Sequence, residues 1–144
     1  MFISDLVPWL CWIFPVIGAI AAFILRKVNQ KIINITVVLF ALLGWVMALL
    51  LIPNLFNFNY TDVQSFWFSL SASKVLGVGM LVDPLSIIIA NVVAFLGLLI
   101  VIYSTKYMED DPNVSRFWFF MSLFIGSMLL LVLADNLILM FVGW

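Results

Sequence analysis

The chain has 144 residues, of which 67% are hydrophobic and only 9% are charged, and its formal net charge is −1. A soluble domain keeps roughly a quarter of its residues charged, so this chain cannot cover its surface in water and its surroundings must be lipid. The scattered charges form no basic patch, which argues against nucleic acid as a partner. Histidine is absent and Cys11 is the only cysteine, which excludes disulfides, zinc sites and iron–sulfur clusters within the chain.

Long apolar runs separated by polar breaks predict helices that cross a membrane. The runs are Leu6–Leu25, Ile32–Ile52, Pro84–Ile102 and Phe117–Leu133, and a further run begins at Leu137. Each complete run gives about 25–32 Å of helix, against a hydrocarbon core about 30 Å thick. Because lipid cannot satisfy a free backbone, the sequence predicts an all-α transmembrane fold with four complete spanning helices and the start of a fifth.

The first apolar run resembles a signal peptide only in its position. No basic residue precedes this run, because Asp5 is the only charged residue before it. The run is also too long for a typical signal-peptide core. We therefore expect this run to be retained as a spanning helix.

The connection between the second and third spans, residues 55–82, is too long for a simple turn. Phe66, Phe68 and Leu70 alternate with polar or aromatic residues, and a second alternating stretch follows Lys74. This period of two, interrupted at residues 72–74, predicts a β-hairpin on the outer surface.

The distribution of positive charge predicts the orientation. Five of the six basic residues lie in the connections between spans one and two or between spans three and four, whereas Lys74 lies on the other side. The positive-inside rule assigns the richer side to the cytoplasm, so the N-terminus faces outward. Trp9 and Trp12 near the start of span one, and Trp118 on the cytoplasmic side, fit an interfacial aromatic belt.

Asp83 and Asp135 are the candidate residues for a proton path, and each also has a structural interpretation. Asp83 precedes Pro84, an arrangement that favours a helix N-cap. About 28 Å of helix separates Arg116 from Asp135, so Asp135-Asn136 is expected to form the turn between spans four and five, one of the two capping the fifth helix. The alternative for Asp135 is proton exchange near the outer surface.

Small and polar residues inside the spans predict helix–helix contacts. Gly18 with Ala22, and Ser122 with Gly126, are spaced four apart, which allows two backbones to approach closely. Asn91 is expected to hydrogen-bond a neighbouring helix or a water chain.

Several stretches of the second half resemble the antiporter-like L subunit (chain 5) of respiratory complex I. The matching stretches are LVDPLS at 81–86, YSTKYM at 103–108, SRF at 115–117 and LVLADNLILMFVGW at 131–144, in the order and at the spacing of that family. The same kind of module occurs in the large subunits of multi-subunit sodium/proton antiporters and in membrane-bound hydrogenases.

The resemblance implies a division of the chain into three parts. Residues 1–64 form an N-terminal two-helix region, residues 65–134 form the family's N-terminal region with the outer hairpin and spans three and four, and residues 135–144 are the truncated start of the proton-translocating domain. In the family, the Gly143-Trp144 pair is followed at once by a glutamate that works with lysines on later helices to move protons. Asp83 and Asp135 match polar positions of the family that are not its central proton carriers.

The resemblance leads to three functional hypotheses. The first is a non-redox membrane subunit of a proton-pumping NADH:quinone oxidoreductase, or one using a related carrier, in a respiratory, energy-conserving membrane. This segment would contain no catalytic site and no cofactor, and flavin, iron–sulfur clusters and quinone would be held by partner subunits, with other membrane-arm subunits as neighbours. The second is the large subunit of a cation/proton antiporter or membrane-bound hydrogenase. The third is a chain that only supports helix packing.

Overall fold

The computed structural model describes the backbone of residues 2–27, 29–57, 61–71, 74–109, 111 and 113–144, and the side chains of residues 6–26, 29–55, 79–109, 111 and 113–144. The elements in chain order are α1 (Phe2–Ile24), a 3₁₀ turn (Leu25–Lys27), α2 (Gln30–Leu49), α3 (Pro53–Asn57), β1 (Thr61–Ser71), β2 (Lys74–Val82), α4 (Pro84–Tyr107), α5 (Val114–Leu133) and α6 (Leu137–Gly143).

The predicted transmembrane helices are confirmed. Among the described residues, four helical segments are long and apolar enough to cross a membrane: Leu6–Ile24, Gln30–Leu55, Pro84–Tyr107 and Val114–Leu133. The protein is therefore an integral membrane protein with an all-α spanning region.

Some helix boundaries differ from the prediction. The third spanning helix continues past Ile102 to Tyr107, with Lys106 in its last turn, where a cation complements the helix dipole. Helix α2 ends at Leu49, three residues before the end of the second predicted run, and a short helix that the sequence does not predict, α3, follows that run. The proline that was taken as the end of the span begins α3, since a missing N–H costs nothing at the first helical position.

The spanning helices form a bundle in which each has its most extensive contacts with two others. Helix α1 contacts α2 and α5, α4 contacts the same two helices, and α6 packs against α5. Trp118, Leu129, Leu133, Val37 and Val101 are among the largest side chains fully buried in the centre. The burial of Trp118 corrects the predicted position of this residue in an interfacial belt.

Glycines allow α2 and α5 to approach α1. Pro15 inside α1 cannot donate to the Cys11 carbonyl one turn earlier, and a methyl group added at Gly44 of α2 would lie 3.0 Å from Pro15 Cγ and 3.2 Å from that carbonyl oxygen. On the other side, a methyl group added at Gly126 of α5 would lie 2.6 Å from Val16 Cγ2. The predicted close helix contact at Gly126 is confirmed.

Strands β1 and β2 form an antiparallel hairpin with Thr61 opposite Val82 and Ser71 opposite Lys74. The strands begin earlier than the alternation from Phe66 indicated, and the predicted turn residues Ala72 and Ser73 lie outside the described residues. Met80 of β2 forms an isolated bridge with Ala134 after α5. The hairpin is therefore attached to the end of the bundle where α4 begins and α5 ends.

Candidate functional site

The two connections rich in basic residues meet at one end of the bundle, called here the basic end. The Gln30 side chain at the start of α2 donates hydrogen bonds to the backbone carbonyls of Met108 (3.2 Å) and Glu109 (3.0 Å) after α4. Lys106 forms an ion pair with Glu109 in the same connection. These contacts bring the start of α2 and the end of α4 together and concentrate charge at this end.

The opposite end, called here the hairpin end, contains both predicted carboxylate candidates. Asp83 directly follows β2 and precedes α4. Asp135 follows α5, and its backbone N–H donates to the Gly79 carbonyl of β2 at 3.3 Å. Both residues are thus neighbours of β2.

The predicted N-cap at Asp83 is confirmed. Its side chain accepts a 2.9 Å hydrogen bond from the backbone N–H of Ser86, and the Ser86 hydroxyl accepts a 3.0 Å bond from the backbone N–H of Asp83. This reciprocal arrangement is a capping box. The hydrogen bond with the Ser86 side chain is the main cause that holds the pKa of Asp83 below its usual value. The sequence predicts the cap but does not identify Ser86 as its partner.

The turn at Asp135-Asn136 is also confirmed, and Asn136 is the residue that caps α6. Asn136 Oδ1 accepts a 2.8 Å hydrogen bond from the backbone N–H of Leu139. The Asn136 side chain also donates to Asp135 Oδ1 at 2.6 Å. Asp135 is partly buried and engaged by its neighbour, and its role in a proton path stays a prediction.

Asn91 lies inside the bundle and joins α4 to α2, as predicted. Its Nδ2 donates to the Ala48 carbonyl of α2 and to the Ile87 carbonyl of its own helix, both at 2.9 Å. Its Oδ1 is buried and has no hydrogen-bond partner within the described part of the chain, and the same is true of Trp12 Nε1. These two atoms are the places in the interior where a bound water would satisfy a polar group.

A second interhelical hydrogen bond, between Trp118 and Asn34, was missed by the sequence analysis. Trp118 Nε1 donates to Asn34 Oδ1 at 2.8 Å and joins α5 to α2 near the basic end. A signal was present, because an asparagine within an apolar run needs a partner on another helix. The identity of that partner depends on how α2 and α5 are rotated, which hydropathy does not specify.

The arrangement defines a class of protein: a helical membrane protein with polar connections at both ends of the bundle and hydrogen bonds between helices inside it. A family described as NADH-Ubiquinone oxidoreductase (complex I), chain 5 N-terminus, matches residues 67–118. This region covers most of the hairpin, the whole of α4 and the start of α5.

Curated relatives extend the similarity to almost the whole chain. NADH-quinone oxidoreductase subunit L of Buchnera aphidicola subsp. Schizaphis graminum is 31% identical over 136 residues, which is 92% of this chain and 22% of that protein. The subunit L of Escherichia coli (strain K12) is 40% identical over 89 residues, 61% of this chain and 14% of that protein. The probable inorganic carbon transporter subunit DabB1 of Halothiobacillus neapolitanus is 28% identical over 137 residues, 92% of this chain and 23% of that protein.

The chain is similar to proteins named NADH-quinone oxidoreductase subunit L and NADH-ubiquinone oxidoreductase chain 5, and the complex I chain 5 N-terminus family matches part of it. It spans about a fifth of the length of the relatives that it matches over nearly all of its residues. The resemblance given by the motifs at 81–86, 103–108, 115–117 and 131–144 is thereby confirmed.

Proposed function

We propose that the chain is the N-terminal membrane segment of a proton-translocating subunit in a complex I-like NADH:quinone oxidoreductase. The observation that carries this proposal is the 31% identity to a subunit L across 92% of the chain. The subunit would couple electron transfer in partner subunits to proton movement through the membrane. Flavin, iron–sulfur clusters and the quinone site belong, in this proposal, to those partners.

In this proposal the bundle acts as a rigid support. Three of its interior polar side chains, Asn34, Asn91 and Trp118, form hydrogen bonds between helices. Asp83 is occupied as a cap and Asp135 is bound to Asn136. We therefore propose that residues 135–144 begin the proton-translocating region and that the preceding helices hold it in place.

We further propose that the N-terminus faces outward from an energy-conserving membrane, either a prokaryotic cell membrane or an organelle inner membrane. The basic end, with Arg26, Lys31, Lys106 and Arg116, would face the cytoplasm or matrix, in accordance with the positive-inside rule. The hairpin would then lie on the outer surface, since it is attached at the opposite end of the bundle.

A second candidate function is supported by the similarity to DabB1, whose name describes a subunit of a probable inorganic carbon transporter. In this alternative the same membrane module would serve an ion-coupled transporter or antiporter and would have no redox partners. The lower identity, 28% against 31% over a similar length, favours the oxidoreductase.

Co-purification distinguishes the two functions. The protein, tagged and isolated from its native membrane in mild detergent, is expected to bring with it flavin absorbance and the EPR signals of reduced iron–sulfur clusters. An isolated complex without flavin and without clusters, at full yield of the tagged subunit, would support the transporter and contradict the oxidoreductase.

A further inference from the structure

A groove on the surface of the bundle runs from the basic end down the side of α2. Two adjoining cavities form it, an apolar one of about 490 Å³ and a polar one of about 320 Å³. Lys31, Asn34 and Thr105 line both cavities, so the two are continuous. We call this feature the α2–α4 groove, because Thr105 lies in the last turns of α4.

The mouth of the groove carries net positive charge. Lys31, Lys106 and Glu109 line the polar cavity, which gives two ammonium groups against one carboxylate. Glu109 is ion-paired with Lys106 and also interacts electrostatically with Lys31, and the three side chains together carry one net positive charge. The first turn of α2 is also here, and the positive end of its helix dipole adds to the attraction for an anion.

The orientation of the Asn34 amide adds hydrogen-bond donors to this charge. Trp118 Nε1 can only donate, so the Asn34 atom that accepts its 2.8 Å bond must be the oxygen. The Asn34 amide nitrogen therefore does not take part in the bond to Trp118 and keeps its two N–H donors. The Asn34 side chain lines both cavities. A buried indole thus fixes a donor between the charged mouth and the apolar part of the groove.

Below Asn34 the groove is lined by aliphatic side chains along one face of α2. Ile35, Leu39 and Leu42 line it, and they are 69%, 52% and 40% exposed in the chain by itself. From Lys31 to Leu42 the helix rises about 16 Å, close to half of a hydrocarbon core about 30 Å thick. The apolar part therefore has the length of a single leaflet.

We propose that the α2–α4 groove binds one anionic phospholipid of the leaflet at the basic end. The phosphate lies against the Lys31 ammonium and the Asn34 amide, and one acyl chain follows Ile35, Leu39 and Leu42. The single negative charge of a phosphodiester matches the net charge of the mouth, and the length of the apolar face matches one leaflet.

Native mass spectrometry of the whole chain tests the proposal. The chain is released from detergent micelles that contain either phosphatidylglycerol or phosphatidylcholine, and the two lipids have the same acyl chains. The chain is expected to retain phosphatidylglycerol in preference to phosphatidylcholine. Because an ammonium near a lipid headgroup contributes about a fivefold change in affinity, Lys31→Gln should weaken retention of the anionic lipid about fivefold. Arg116→Gln is the matched control, because Arg116 is a basic residue of the same end that does not line the groove.

Two results would overturn the proposal. Equal retention of both lipids, or an equal loss of phosphatidylglycerol in Lys31→Gln and Arg116→Gln, would show that binding is non-specific. A photo-crosslinking residue at position 39 in native membranes should give a phospholipid adduct, whereas a protein adduct would show that a partner subunit covers the groove. Circular dichroism and thermal melting of each variant separate loss of binding from loss of folding.

Discussion

At the scale of single residues, two asparagines inside the described spans each take part in a hydrogen bond between helices. Asn91 joins α4 to α2 and Asn34 joins α2 to α5, both through one well-formed hydrogen bond to the partner helix. Lipid offers no alternative partner to such groups, so a side chain that lost its bond would be exposed to hydrocarbon or empty space. These two bonds therefore help to fix the rotation of α2 within the bundle.

Removal of the indole donor tests the Asn34–Trp118 bond. Trp118→Phe should lower the free energy of unfolding by the loss of the hydrogen bond, about 0.6–1.7 kcal/mol, and by a further amount for the smaller ring. A double-mutant cycle with Asn34→Leu in detergent, followed by circular dichroism, isolates the bond. A coupling energy of zero would show that the two side chains do not interact.

The Asp83 cap predicts a dependence of stability on pH. The pKa of Asp83 is lowered in the folded chain, so its stabilising effect is fully present above the unfolded pKa of about 3.9 and is lost as the pH falls through the lower folded pKa. Asp83→Ala should cost about 1 kcal/mol at neutral pH. Asp83→Asn should keep most of the cap and lose its pH dependence, and an unchanged acid profile in this variant would refute the assignment.

At the scale of elements, the contacts of α1 with its neighbours depend on small residues placed opposite a proline or a backbone carbonyl. Gly44 faces Pro15 and the carbonyl that this proline leaves without its usual partner, and Gly126 faces the turn from Trp12 to Val16. Helix α1 is thereby held between α2 and α5, and the position of α5 in turn sets that of α6.

Two glycine substitutions of the same size should have different effects. In Gly126→Ala the new methyl group would lie 3.1 Å from the Trp12 carbonyl oxygen and 2.6 Å from Val16 Cγ2, so the backbones must separate at a cost of about 1–3 kcal/mol. In Gly97→Ala the neighbours are side-chain atoms of Ile125 at 3.1–3.2 Å, which can move. In thermal unfolding, the melting temperature of Gly126→Ala should be well below that of Gly97→Ala. Equal melting temperatures would contradict this contact assignment.

The sequence predicts the spans well because lipid permits few alternatives for a long apolar run. It also predicts the caps, since Asp83-Pro84 and Asp135-Asn136 carry local signals. It does not predict which residue of Asp135-Asn136 makes the cap, the short helix α3 that begins at Pro53, or the burial of Trp118. Those features depend on the packing of one helix against another, and hydropathy is the same for every rotation of an apolar helix.

At the scale of the whole molecule, the basic connections and the hairpin lie at opposite ends of the bundle. One end carries the basic connections held together by Gln30, and the other carries the hairpin, Asp83 and Asp135. Of the carboxylates whose side chains the structure describes at the hairpin end, Asp83 forms a helix cap and Asp135 lies in the turn before α6.

The orientation is tested by labelling single cysteines in a Cys11→Ala background. A cysteine at position 29, an exposed residue of the basic end, should react with an impermeant reagent only after the membrane is opened. A cysteine at position 73, between the two strands in the sequence, should react in intact cells or mitoplasts. The reverse pattern would invert the topology.

Neutralising Asp135 tests whether the hairpin end carries protons. Asp135→Asn preserves an oxygen that can accept the hydrogen bond from Asn136, so the turn should persist and most of the proton-translocation rate in vesicles should remain. Asp83→Asn tests the other candidate carboxylate of the hairpin end in the same assay. A large loss of translocation in Asp135→Asn alone, at normal assembly, would place Asp135 in the proton path.

The central claim, that this chain is part of a subunit coupling NADH oxidation to proton movement, is tested most directly in inverted vesicles from its native membrane. With terminal oxidases blocked by cyanide, NADH and a short-chain quinone should acidify the vesicle interior, and an uncoupler should abolish the gradient. Deletion of the gene should eliminate this acidification, and restoration of the gene should recover it. Acidification that persists unchanged in the deletion strain would contradict the claim.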